Sequence, residues 1–366
     1  MRDALSLSPA RAALLVVLFS LIGGFAALFA LLACQYIVSF HGAADAADKH
    51  GISTQKSVRL GGIFIATFWL AELLIQTEIA GHGLNLDFAR VSLAYCAGLF
   101  ALGLYSDLKA DVSAAVRLVI MFALACVALL LRPALVLEPV GVSWIDPWLL
   151  QPGRVAILFT AVALTVLPNA FNTADGANGL VSGVSFFTLL ALSPFMNMPE
   201  WVLSTIELSL ILFLLLNLMT GRFFLGDSGA YLCGAMVGFA VIYVSNTYVI
   251  SVWYLVTLIF YPLFDLVFAM VRRLLEGRSP MAPDDEHLHN LLFYRVRPAV
   301  RSPRLANTVT GVSIATLFTA SPWYLFNSGF VEEGWGIVIA TQSLTYLTLW
   351  WLCRRRQEAG ALEDRL

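Results

Sequence analysis

The sequence predicts an all-α, polytopic integral membrane protein, and three observations predict it. Of the 366 residues, 59% are hydrophobic and only 13% are charged, against roughly 25% charged residues in a soluble domain. Mean hydropathy is +0.81. Runs at 12–38, 208–219 and 249–271 are almost free of charge, and a helix needs about 20 apolar residues to cross the hydrocarbon core of a bilayer. Too few charges remain to coat a water-facing surface of this size, which excludes a pair of soluble domains. The net charge of −2 and the lack of a basic cluster interleaved with aromatics give no sign of nucleic acid as a partner.

Apolar runs between turn and charge signals place about eleven transmembrane helices, at 12–38, 60–77, 91–105, 113–131, 154–168, 180–195, 203–220, 230–245, 249–271, 306–326 and 335–353. Arg2 and Arg11 precede the first run as in a signal peptide. The apolar core of a cleaved signal is roughly 7–15 residues, so this longer run reads as a retained span. The third span stops before Ser106 and the fifth before Pro168. With eleven spans, the connections alternate between two sides. The set 39–59, 106–112, 169–179, 221–229, 272–305 and the C-terminal tail, with Arg117, holds 17 of the 22 Lys and Arg residues. The positive-inside rule puts that set in the cytoplasm, with a periplasmic N-terminus and a cytoplasmic C-terminus. No linker or repeat divides residues 1–366, which read as a single membrane-embedded domain. Cys34, Cys96, Cys126, Cys233 and Cys353 sit in apolar stretches with no pairing rhythm and read as inert thiols.

The cytoplasmic connections carry more than a connector needs. Residues 169–179 read Asn-Ala-Phe-Asn-Thr-Ala-Asp-Gly-Ala-Asn-Gly, residues 221–229 read Gly-Arg-Phe-Phe-Leu-Gly-Asp-Ser-Gly, and the long loop holds Asp284-Asp285-Glu286-His287-Leu288-His289. Any one alone is an ordinary turn, because Asn, Asp and Gly are the usual turn formers. Five polar loops facing one compartment suggest a site. Carboxylates and amide oxygens are hard ligands suited to Mg²⁺, which takes one or two protein carboxylates and completes its shell with phosphate and water. Glycines let backbone N–H groups approach phosphate oxygens, and helix starts favour anions. Those parts suit phosphoryl transfer, in which catalysis is mostly positioning and charge neutralisation. Two histidines without a third strong ligand do not make a zinc site.

On these residues the chain resembles the polyprenyl-phosphate N-acetylhexosamine-1-phosphate transferases, a glycosyltransferase family 4-like group of integral membrane enzymes related to phospho-MurNAc-pentapeptide translocase. The likeness runs in order from about Lys49 to Leu292. It takes in Arg59-Leu60-Gly61-Gly62, Asn169 to Leu180, Phe224 to Tyr231, Tyr261 to Asp265, Arg272-Arg273 and the element ending at His289. The resemblance implies transfer of a sugar-1-phosphate from a UDP-N-acetylhexosamine to undecaprenyl phosphate, with release of UMP. That reaction would start a lipid-linked cell-surface glycan, such as an O-antigen, on the cytoplasmic face of a bacterial inner membrane. It implies Mg²⁺, replaceable by Mn²⁺, with Asp227 as the chief metal ligand and Asn172 as a second contact. Asp107, Asp175, Asp227, His287 and His289 are the implied catalytic residues. Lys56, Arg59, Asn169, Asn172, Asn178, Phe224 and Arg278 are the implied substrate contacts, with Phe224 near the uracil. A homodimer is compatible with this reading.

The chain departs from the family pattern at two places. Where the family has adjacent aspartates at the end of the third span, this chain has Ser106-Asp107, and the histidine element ends in Asn290 where a further His is common. The first carboxylate is therefore not available as nucleophile or base. The loss is tolerable, because a phosphate monoester has a second pKa of about 6 and is mostly ionised at neutral pH. Direct attack by the lipid phosphate, with Asp107 orienting that phosphate or the metal, is the expected mechanism. Two other classes compete: a transporter or flippase, and a catalytically altered family member acting as a scaffold. Transporters place their charges near the bilayer midplane, whereas the polar motifs here gather at one surface.

Overall fold

A computed structural model describes residues 23–29, 32, 61–80, 86–109, 112–150, 154–196, 200–221 and 223–363. Among the described residues the chain is helical and without a β-strand. Apolar composition requires this, since inside a bilayer every backbone polar group must be satisfied within the segment or in a closed barrel. The main helices are α1 Gly61–Ala80, α2 Leu86–Leu108, α3 Ala114–Leu131, α4 Arg154–Ala174, α5 Leu180–Leu192, α6 Glu200–Thr220 and α7 Gly226–Thr247. They continue with α8 Val252–Leu258, α9 Phe260–Leu275, α10 Leu288–Val296, α11 Pro303–Ala315, α12 Ser321–Asn327 and α13 Trp335–Glu363. Six described segments are long and apolar enough to cross a membrane, or seven if α8 and α9, bent by 78°, count as one. Shorter apolar helices stand at Gly61–Leu70, Leu180–Phe195 and Ile206–Thr220. Helices thus occupy every expected position from the second to the eleventh. Most of 12–38, and all of 39–59 with Lys56 and Arg59, lie outside the described residues.

Capping fixes several of the starts. Ser113 accepts from the Val116 N–H at 3.3 Å at the start of α3. Ser302 accepts from the Leu305 N–H at 3.4 Å with Pro303 in the first turn of α11, which is where proline costs no hydrogen bond. The core is built around α7, which is buried over 83% of its apolar window. Gly229, Ala230, Gly234, Ala235, Gly238 and Ala240 let its neighbours approach closely, as small residues do in membrane bundles. A Cβ on Gly234 would lie 2.5 Å from Pro168 Cα, which marks the crossing of α4 on α7.

The fifth expected span, α4, does not end at Pro168 as the sequence suggested. Proline lacks the N–H that would bond the carbonyl four residues earlier, and here the Tyr95 hydroxyl donates to that Leu164 carbonyl at 2.7 Å. With the orphan acceptor satisfied, α4 continues to Ala174. The same device recurs twice. Pro262 orphans the Leu258 carbonyl, which accepts from Thr188 Oγ1 at 3.2 Å and Thr319 Oγ1 at 3.1 Å. Pro322 orphans the Phe318 carbonyl, which accepts from Gln342 Nε2 at 2.8 Å. Each proline break is therefore paired with a polar side chain from another helix. Tyr95→Phe should lower stability by about 1–3 kcal/mol, the cost of a buried unsatisfied carbonyl. It would be read as a lowered thermal unfolding midpoint, and an unchanged midpoint would refute this account of Pro168.

Three other connections also proved shorter than expected. α2 carries on through Ser106 and Asp107 to Leu108. α7 starts at Gly226, so Asp227 lies in a first helical turn. α9 runs to Leu275, and α10 occupies Leu288–Val296 within the expected 272–305 loop. Polar residues at a water-facing helix end can prolong the helix as readily as stop it, and in these cases they prolong it.

Candidate active site

The site is built on the first turn of α7, which neighbouring helices grip by backbone contact. Gly226 has φ +70, a left-handed conformation that suits glycine and turns the chain into the helix. The main-chain N–H groups of Asp227 and Ser228 then donate to Asp107 Oδ1 and Oδ2 at 2.8 and 2.9 Å. Asp107 thereby caps a helix 120 residues distant, supplying acceptors for N–H groups that have no partner within α7. The close approach needs Gly103, whose Cβ would lie 2.5 Å from Ser228 N and Cα. From the other side, the Gly61 and Gly62 N–H groups donate to the Phe224 and Leu225 carbonyls at 2.9 and 3.1 Å. A Cβ on Gly62 would come within 2.4 Å of Gly229 N. The glycine pair of the Arg59-Leu60-Gly61-Gly62 motif is thus a docking strip for the Phe224–Gly229 segment.

Asp227 is held by its side chain as well. Ser106 Oγ donates to Asp227 Oδ2 at 2.7 Å. The Arg117 guanidinium pairs with the same oxygen and donates to Ser106 Oγ at 3.1 Å. The Asp227 side chain keeps 19% of its surface exposed. Ser106 therefore contributes a donor to Asp227 where an aspartate would contribute a second acceptor. Ser106→Ala removes one of two donors while Arg117 stays, so activity should fall only about fivefold, near 1 kcal/mol. A loss as deep as that from removing Asp227 would show that Ser106 has a further task.

The 175–179 segment is pinned from behind. The Asn178 N–H donates to Asn307 Oδ1 at 2.5 Å, and the Gly179 N–H donates to Asn217 Oδ1 at 2.6 Å. Asn217 Nδ2 donates to the Phe223 carbonyl at 2.6 Å, tying this turn to the one that leads into α7. Asn178 is buried, with its amide 3.4 Å from Thr308 Oγ1 and 3.5 Å from Asn217. Its surroundings are those of a turn-holding residue. Asn169 and Asn172, expected in a loop, lie on the last turns of α4. Spaced by three, they share a helix face. Asp175 and Phe224 are each half-buried at the adjoining turns.

The histidine element lies against α9 at Tyr261 and Asp265. His287 Nδ1 is 2.7 Å from Asp265 Oδ2, while Asp265 Oδ1 accepts from the Leu288 N–H at 3.2 Å and the Tyr346 hydroxyl at 2.6 Å. His289 Nδ1 is 3.1 Å from the Tyr261 hydroxyl, and the two imidazoles stack with centroids 5.6 Å apart. Burial lowers the His287 pKa, but Asp265 beside it outweighs this and leaves it above the ordinary histidine value. Burial pulls His289 down to about 4, so it is neutral at physiological pH. A Cβ on Gly176 would lie 2.2 Å from His289 Nε2, which brings the histidine element onto the Asp175–Gly179 turn. Behind it, Arg272 and Arg273, both 6% exposed, converge on Asp284. Burial raises the Asp284 carboxyl, but Arg273 and its neighbours hold it below the usual range. Arg278 is exposed, and it bonds Glu276 and the Pro283 carbonyl at 3.3 Å each.

Among the described residues no three His, Cys, Asp or Glu side chains group as a metal cage. Mg²⁺ does not need one, since one or two carboxylates with substrate phosphates suffice. Asp227 fits that pattern, because the bonds to Ser106 and Arg117 occupy Oδ2 and leave Oδ1 outside them. The sequence missed Asp265, Tyr346, Asn217 and Asn307 as site-building residues. A signal for Asp265 was present: a carboxylate inside an apolar run needs a partner.

The profile of glycosyl transferase family 4 matches residues 89–245, the stretch from α2 to α7 that contains Ser106, Asp107, Arg117, Asn169 to Asn178 and Asp227. Over these residues the chain is similar to glycosyl transferase family 4. A Yersinia pestis protein named undecaprenyl-phosphate alpha-N-acetylglucosaminyl 1-phosphate transferase is 32% identical over 250 residues, covering 64% of this chain and 65% of that protein. A Thermotoga maritima protein of the same name is 31% identical over 199 residues, 54% of this chain and 60% of its own. One from Escherichia coli K12 is 30% identical over 214 residues, 54% and 56% respectively. The chain spans less than two thirds of the length of these relatives. The family 4 match holds the Asp227 clamp, and the histidine element lies beyond it in sequence.

Proposed function

We propose that this protein is a family 4 enzyme that transfers an N-acetylhexosamine-1-phosphate from a UDP-sugar to undecaprenyl phosphate, releasing UMP and starting a lipid-linked glycan. The observation that carries the reading is the clamped Asp227, a partly exposed carboxylate on the first turn of α7. The names of the relatives support the acceptor. In the reaction an oxygen of the lipid phosphate attacks the sugar-bearing phosphorus, and the bond from that phosphorus to the bridging oxygen breaks. UMP leaves, and the product is a lipid diphosphate sugar. The acceptor is already ionised near neutral pH, so Ser106 in place of a carboxylate removes no required base.

Asp227, with Asn172 on α4, would hold Mg²⁺. When bound, the ion neutralises diphosphate charge and orients the leaving group. Asp107 fixes the α7 start and Arg117 orients Asp227. His289 and Gly176 bring the histidine element and the Asp175 turn together. Lys56, Arg59, Asn169, Phe224 and Arg278 are proposed contacts for the nucleotide and phosphates. The 17-to-5 split of basic residues supports eleven spans in a bacterial inner membrane with these loops cytoplasmic. The test is purified protein with Mg²⁺, undecaprenyl phosphate and a panel of UDP-sugars, following UMP. Release with an N-acetylhexosamine donor is expected, and no UMP from any donor would sink the enzyme reading.

A further inference from the structure

Tyr261 and Asp265 are one turn apart on α9, and each meets one ring of the histidine pair. Their chemistry differs, and so do the protons they can accommodate. Asp265 Oδ2 can only accept, so the His287 Nδ1 facing it at 2.7 Å must carry a proton. On the far side of that ring, Arg273 Nη2 lies 3.4 Å from Nε2, and a guanidinium can only donate. In the neutral ring Nε2 is therefore the acceptor. At His289 the arrangement reverses. The Tyr261 hydroxyl lies 3.1 Å from Nδ1, and because a phenol is the better donor and an imidazole nitrogen the better acceptor, its proton points at Nδ1. Nδ1 then accepts, and the ring proton sits on Nε2, beside Gly176.

We propose that α9 holds the two stacked histidines in opposite tautomers, His287 protonated on Nδ1 and His289 on Nε2, with Asp265 and Tyr261 as the positioning residues. The consequence rests on the transferase reading. His287 becomes the acceptor that locks Arg273 and, through Asp284, Arg272 behind the site. His289 becomes a neutral N–H donor turned to the Asp175–Gly179 turn, suited to an anionic oxygen there.

The test is ¹⁵N NMR of the full-length protein in nanodiscs, labelled at the imidazoles, with His287→Gln and His289→Gln for assignment. The groups around the pair are Asp265, Tyr261 and Arg273 from α9, Asp284 from the loop and Tyr346 from α13. From alkaline pH down to about pH 5, over which an ordinary histidine titrates, His287 Nδ1 should stay protonated. His289 should keep Nε2–H throughout. Asp265→Asn should move the His287 proton to Nε2, because the amide oxygen keeps the Leu288 and Tyr346 donors and turns its N–H groups toward Nδ1. UMP turnover should then fall on the order of 100-fold, with KM for the UDP-sugar changed less than about threefold. Tyr261→Phe should mix the tautomers of His289 and leave His287 unchanged.

One tautomer for both rings in the unmodified protein would overturn the proposal, as would an unaltered His287 spectrum in Asp265→Asn. If Asp265→Asn fails to fold, the unmodified protein and Tyr261→Phe still decide. The spectra need no substrate, so failure of the transferase reading shows separately, as opposite tautomers in a protein that never releases UMP.

Discussion

Asp227→Ala is expected to cut UMP release by at least about 10³-fold, equivalent to about 4 kcal/mol of transition-state stabilisation. The carboxylate is the point where three elements converge: α7 carries it, Ser106 of α2 donates to it, and Arg117 of α3 pairs with it. Removing it leaves a half-buried guanidinium without its partner and takes away the proposed Mg²⁺ ligand. The fold should survive, because the helix start is capped through the main chain by Asp107 and does not depend on the Asp227 side chain. The thermal unfolding midpoint should therefore shift little while activity disappears. Asp227→Asn keeps the shape and loses the charge, so it should be nearly as inactive. Substantial turnover in the alanine variant would remove Asp227 from the centre of the mechanism.

The second large effect is expected at Asp107. Both of its oxygens accept from main-chain N–H groups at 2.8 and 2.9 Å, so Asp107→Asn must set an amide donor against one N–H donor. Nothing nearby needs to collapse, yet the first turn of α7 loses one bond and its lateral fix. A loss of roughly 10–100-fold in turnover should follow, about 1.4–2.7 kcal/mol. Loss of the cap should lower stability by about 1 kcal/mol. Here, unlike at Asp227, the midpoint and the turnover should fall together. Full turnover with a lowered midpoint would assign Asp107 to folding alone.

The fold class and the order of the helices were legible because they follow from charge scarcity and apolar run length, which are local. The motifs that gather at one end were legible for the same reason. Helix ends were less so. Pro168 reads as a stop until Tyr95, 69 residues away from Leu164, satisfies the orphan carbonyl. The role of Asp107 was read as contact with lipid phosphate or metal, because its partners, the N–H groups of Asp227 and Ser228, carry no side-chain signature. Asn178 looked like a substrate contact because it stands in a motif loop, but Asn217 and Asn307 hold it from helices that sequence order keeps apart. Long-range partners of polar residues are what one sequence cannot display. Asp265 stood in the sequence only as the end of the Tyr261–Asp265 likeness, and its partners His287, Tyr346 and the Leu288 N–H were not visible there.

The most direct test uses a UDP-N-acetylhexosamine labelled at the sugar-bearing phosphorus, incubated with the purified protein, Mg²⁺ and undecaprenyl phosphate. The label should move into the lipid-extractable product, and the nucleotide released should be unlabelled UMP. Label found in released UDP would mean transfer of the sugar alone and would contradict the account, as would the absence of labelled lipid with every donor tried.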